Sequence, residues 1–138
     1  MKTKAIHNIK AAEALIDKAE EGYYTASIHH VYYAVFQYMK YELAHTDVEP
    51  LSYEEQTVKA KENRVGSHDF IIKEIKRRIG RLANLDTAKD FARDVRELKG
   101  DRIDADYRSR QFTLEESLAC KRLAEELITK LKTYFGDL

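Results

Sequence analysis

The sequence is short of the residues that interrupt helices and of those that cross-link chains: one proline, five glycines, one cysteine and no tryptophan in 138 residues. A lone thiol, Cys120, cannot close an internal disulfide, so burial has to hold the fold. With so few prolines and glycines there are few places where a helix must stop. Net charge is missing as well, because 24 Lys+Arg offset 24 Asp+Glu; no global field draws the chain onto DNA or a membrane. No apolar run approaches the roughly 18 residues of a membrane span, and residues 1–18 lack the apolar centre of a signal peptide. A cytoplasmic protein with no membrane contact is expected. What is present is a composition 43% apolar and 35% charged, too apolar for a disordered chain and sufficient for one domain, residues 1–138, with a core of its own.

Apolar residues recur with a period near 3.6, and no segment alternates as a strand does. Ala5, Ile9, Ala12, Ile16 and Ala19 predict a helix over 3–20. Ile28, Val31, Tyr32, Val35, Phe36, Met39 and Leu43 predict a longer one over 23–44, which ends before Pro50. Ser52 and Glu55 form a capping box for a short polar helix over 53–63. Ser67 is the expected N-cap of a helix over 68–79 that buries Ile71, Ile72, Ile75 and Ile79 and stops at Gly80. Thr87 opens the next helix, running to about Tyr107, in which Gly100 suggests the close approach of another backbone. Thr113 and Glu116 cap the last helix, 114–135, closed by Gly136. The expected fold is all-α: an antiparallel up-and-down bundle of four main helices plus a short extra helix.

Candidate chemistry is sparse. Di-iron bundles need two Glu-x-x-His pairs, and this chain has one, Glu42 and His45, so no metal site and no cofactor are expected. His29 and His30 are adjacent and point about 100° apart, so one of them faces the core or a helix seam. Cys120 has no histidine near it in sequence, and the isolated glycines form no phosphate loop. Two features stand out. The segment 73–81 carries Lys73, Lys76, Arg77, Arg78 and Arg81 against Glu74, either as phosphate contacts or as a solvated helix face. Arg102 and Asp106 are i,i+4 neighbours, either a surface salt bridge or an anion site with Asp106 orienting the guanidinium and Tyr107 stacking beside it. In addition, six of nine tyrosines, Tyr33 among them, fall between Tyr23 and Tyr41, an aromatic density suited to a core or to a helix that also meets a partner.

Two sets of residues carry a family resemblance. Ala14, Leu15, Gly22, Tyr23, Ala26, Tyr32, Tyr33, Ala34 and Phe36 resemble the first half of the HEPN family. Ser67-His68, the signature Arg102-x-x-Ala105-Asp106-Tyr107, and Ala119 and Ala124 in a long terminal helix resemble its second half, over roughly residues 11–130. The resemblance implies a prokaryotic bundle of four to five helices, a homodimer, and frequent pairing with a nucleotidyltransferase in a toxin–antitoxin or defence setting. Many members are metal-independent ribonucleases with an Arg-x4–6-His motif, whereas others bind nucleotide, RNA or a partner protein without catalysis. This chain departs from the nuclease pattern. All five histidines precede residue 69, and Tyr107 stands where Arg102 would need a histidine; a phenol with an ordinary pKa near 10 is a poor proton shuttle.

Three readings follow. The first is a non-catalytic, homodimeric bundle that binds a partner protein, a nucleotide or RNA, with Arg102, Asp106, Tyr107 and Tyr33 as its anion site. The second is a ribonuclease in which His68, or a histidine of the second helix, reaches Arg102. The third is a plain interaction bundle.

Overall fold

The computed structural model describes residues 1–136, which form six helices and no strand. These are α1 (Lys2–Asp17), α2 (Glu21–His45), α3 (Tyr53–Glu62), α4 (Ser67–Leu82), α5 (Leu85–Tyr107) and α6 (Leu114–Phe135). The fold class is the expected all-α bundle. The long helices number five rather than four, because α1, α2, α4, α5 and α6 each run 16 residues or more, and α3 is the short one.

Helix α2 lies at the centre and packs against α1, α4, α5 and α6. Its apolar stripe explains this position: Ile28, Val31, Tyr32, Val35, Met39 and Leu43 have no exposed surface. Burying a side chain of this size is worth about 1.5–3 kcal/mol, so the stripe outweighs any intrinsic helix preference in holding α2 in place. Around it, Ile71, Ile72, Ile75 and Ile79 of α4, Phe91, Val95 and Leu98 of α5, and Ala124, Leu127 and Leu131 of α6 complete one continuous core. Tyr32 and Tyr38 are absorbed into that core, and Tyr24, Tyr33 and Tyr41 are partly covered. Of the two uses the sequence leaves open for this aromatic helix, a core and a partner, the core of the one chain takes up most of its surface.

Local chemistry fixes the helix ends, in several places differently from the sequence expectation. Both capping boxes form, at Ser52–Glu55 and Thr113–Glu116. Ser67 is not a cap: Gly66 is the N-cap, and Ser67 is already helical. Nor does Thr87 cap α5; Asn84 does, its Oδ1 accepting from the Thr87 N–H at 2.8 Å. Gly80 does not stop α4, which runs two residues further, so only Ala83 and Asn84 separate α4 from α5. Helix α1 ends at Asp17, where Ala19 turns left-handed at φ 55. A Cβ built on Gly100 would meet nothing within 4 Å, so no second backbone approaches there.

Candidate anion-binding site

The site forms where the last turns of α5 meet the outer face of α2 and the first turn of α4. The connection 108–113 ties these elements together. Thr25 on α2 accepts from the Phe112 N–H at 2.9 Å and donates to Gln111 Oε1 at 3.1 Å. Phe112 is fully buried, and the Arg110 guanidinium lies 4.0 Å over its ring while pairing with Asp101, Asp104 and Glu116. Anchored in this way, the end of α5 places Arg102 and Asp106 beside His29, Tyr32 and Tyr33.

Arg102 is buried, with its side chain 9% exposed. Its guanidinium lies 5.3 Å from the ring of Tyr32, 5.5 Å from Tyr33 and 5.9 Å from Tyr107. Its one carboxylate contact is long, Nη1 to Asp106 Oδ2 at 3.7 Å, and its buried Nε has no hydrogen-bond partner among the described residues. The same Asp106 oxygen is closer to another group, His29 Nδ1, at 2.8 Å. Asp106 therefore serves His29 first and Arg102 second, whereas the i,i+4 spacing suggested that it holds the Arg102 guanidinium directly. A guanidinium that is desolvated but short of acceptors has donor capacity left for an anion.

His68 stands on the other side of Tyr32. Its Nδ1 is 2.7 Å from the Tyr32 hydroxyl, and its ring stacks on Phe36 at 4.0 Å and 7°. Tyr32 makes no other hydrogen bond among the described residues, which assigns its hydroxyl as the donor and leaves the His68 ring proton on Nε2. Burial, then the charges of Arg102, Lys99 and Lys40, depress the His68 pKa to about 4, with Asp69 opposing them. At neutral pH His68 is an uncharged acceptor. Burial likewise pushes the Tyr32 phenol well above its usual range, Arg102 partly offsetting it. His30 lies in the α1–α2 seam, where its Nδ1 meets Asn8 Oδ1 at 2.7 Å and the Asn8 amide donates to Gln37. Burial lowers its pKa, helped by His29 and opposed by Asp106.

The fold thus gathers Arg102, Asp106, Tyr107, Tyr33 and His68 into one cluster. Most of the basic segment lies further along α4: Lys76 to Arg81 are about 12–20 Å from His68 along the helix axis, given 1.5 Å per residue, and Lys73 about 7–8 Å. Within that segment Arg78 is not a phosphate contact: it is buried, and it donates to Glu74 and to the carbonyls of Val48 and Glu49 at 2.8 and 2.7 Å. Arg77 pairs with Glu74 and Glu49, and Arg81 reaches Glu49 at 3.8 Å. Lys73 is exposed, Lys76 half-buried. Glu42 is buried, His45 bonds the Tyr41 carbonyl, and no group of three metal-ligating side chains assembles among the described residues. Sequence reasoning missed Tyr32 and Lys99 as members of the site, and it left open which histidine of the second helix reaches Arg102. The signal for His29 was its spacing from Tyr33, one turn away on the same face of α2.

Neither a curated protein nor a solved structure matches the chain. The family model for the HEPN domain matches residues 1–134, which takes in every helix-forming element of the site just described. With the model covering nearly the whole chain, the protein belongs to the HEPN domain family.

Proposed function

We propose that the chain is a phosphate-binding HEPN domain that holds RNA or a nucleotide at Arg102 without cutting it. The observation that carries this reading is the Arg102 guanidinium itself: buried, framed by three tyrosine rings, and left with an unpartnered Nε and only a long contact to Asp106. A phosphate oxygen would supply the missing acceptor, and the rings of Tyr33 and Tyr107 would flank the base or ribose. Metal-independent cleavage needs two proton-transfer groups, a base for the 2′-hydroxyl and an acid for the leaving oxygen. His68 cannot serve as the acid at neutral pH, since with a pKa near 4 it is not protonated there, and Tyr32 occupies its Nδ1. That leaves His29 as the single imidazole beside Arg102.

The ribonuclease is the second reading, favoured by the 2.8 Å contact of His29 with Asp106, a pairing that would orient the imidazole as a base. The family resemblance supports a homodimer paired with a nucleotidyltransferase-type partner, which light scattering of the chain alone and with that partner tests. For the site, a labelled single-stranded RNA is mixed with the protein without metal. The expected result is saturable binding without cleavage, weakened by about tenfold or more in Arg102→Ala, with Arg102→Lys recovering only part of it. Cleavage abolished by His29→Ala would promote the ribonuclease. Equal binding by wild type and Arg102→Ala would leave a plain interaction bundle.

A further inference from the structure

The α4–α5 turn combines three things that the Arg102 site does not use: exposed apolar side chains, two recesses and an excess of positive charge. Leu85, Val48 and Leu82 are 69%, 68% and 55% exposed, in a chain whose other large apolar residues are mostly buried. On one side of Arg81 lies a recess of about 330 Å³ floored by Gly80, Leu85 and Ala88, with Lys73 and Lys76 on its rim. On the other side lies one of about 240 Å³ lined by Val48, Leu82, Tyr134 and Phe135. Arg81 borders both.

Charge at this end is unevenly satisfied. Arg78 is taken up by Glu74 and by two loop carbonyls, which lock the 46–50 loop in place. Lys73 and Lys76 have no acidic partner among the described residues. Arg77 is gripped by Glu74 through two hydrogen bonds and reaches Glu49 only at 3.5 Å, whereas Arg81 has Glu49 alone, at 3.8 Å, a carboxylate that is 64% exposed. Asp47 lines the second recess. With Arg77 and Arg78 both held by Glu74, the three cations Lys73, Lys76 and Arg81 face these two carboxylates. Long, exposed pairs of this kind are weak and easily exchanged.

We propose that this end of the bundle is a docking surface for an acidic, apolar segment of another protein, its apolar side chains entering the recesses on either side of Arg81 and its carboxylates replacing Glu49 on Arg81 and adding partners for Lys73 and Lys76. An acidic segment supplies both of the things this surface lacks, apolar filling and negative charge. A bilayer fits less well, because acyl chains would have to enter two recesses divided by a charged guanidinium. RNA fits less well, because phosphates gain nothing from Leu82, Leu85 and Val48. The proposal is independent of the Arg102 reading, and Arg102→Ala serves as its internal control.

The test measures fluorescence anisotropy of a labelled twelve-residue peptide of repeating Asp-Glu-Leu-Leu against the full chain. Its Lys-Arg-Leu-Leu counterpart, anionic vesicles of phosphatidylserine and a single-stranded RNA serve as competing probes. The acidic peptide is expected to bind, with affinity falling about tenfold or more in the Leu82→Ser, Leu85→Ser double variant and in Arg81→Glu. Glu49→Gln, which removes the resident carboxylate, is expected to raise affinity by up to about fivefold. Arg102→Ala should bind this peptide as the wild type does, even where it loses RNA. Circular dichroism of each variant establishes that it is folded. No binding of the acidic peptide, equal binding of the basic one, insensitivity to Arg81→Glu in a folded variant, or displacement by vesicles or RNA in an Arg81-dependent way would each overturn the proposal.

Discussion

Substituting His68 by asparagine should remove a specific piece of the acid sensitivity of this fold. His68 is held near pKa 4 by its burial, followed by Arg102, Lys99 and Lys40, with Asp69 pulling the other way, against 6.5 for an ordinary histidine. Between those values the unfolded chain takes up a proton that the folded chain refuses. The stabilisation is therefore complete above about pH 6.5 and is lost as pH falls toward 4. At about 1.4 kcal/mol per tenfold change in proton affinity the full displacement would be worth about 3 kcal/mol. The ring is only about half withdrawn from water, so solvent screening reduces the expectation to about 1–2 kcal/mol. Protonation would also take away the acceptor of the buried Tyr32 hydroxyl, 2.7 Å from Nδ1. Asparagine offers a carboxamide oxygen in its place and does not titrate. In urea denaturation followed by circular dichroism, the wild type should lose its advantage over His68→Asn by about 1–2 kcal/mol between pH 7.5 and pH 4.5. Comparing the two chains cancels the carboxylates that titrate in both. A stability gap that stays the same at the two pH values would refute the placement of His68 among these cations.

Gly100→Ala should raise stability by about 0.5–1 kcal/mol, because the position is helical and exposed and a Cβ there meets nothing within 4 Å; thermal unfolding checks this, and a loss of stability would mean that a neighbour has been overlooked. Arg78→Met should cost about 2–4 kcal/mol in urea denaturation while leaving RNA binding unchanged, since it strands the Val48 and Glu49 carbonyls and takes from Glu74 one of its two arginine partners. Cys120 should alkylate with iodoacetamide at pH 8 far more slowly in the folded chain than in urea, because burial, then Asp101, pushes its thiol up to about 12; equal rates would contradict its burial.

The sequence alone determined the helical class, the order of the helical segments and two of the helix starts, because these depend on local quantities: the 3.6 period, two capping boxes, and the scarcity of proline and glycine. Where it missed, the competing signal was just as local. Asn84 lies three residues before Thr87 and won the cap of α5, and Gly80 was tolerated because helix interiors accept a glycine at a cost of about 1 kcal/mol. The signature residues Arg102, Asp106 and Tyr107 were also visible, since they lie within about a turn and a half of one helix. Only the tertiary structure decided their company. His29 reaches Asp106 across 77 positions of sequence, and His68 meets Tyr32 across 36; both meetings depend on how the core rotates α2 against α4 and α5. The role of Arg78 was hidden for the same reason. Its place in a basic run suggested solvent, yet one turn of α4 carries it under the 46–50 loop, where two carbonyls need a donor. Charge is read along the chain, but burial and partners are set by packing between segments distant in sequence, and that packing makes Arg102 a site and Arg78 a strut.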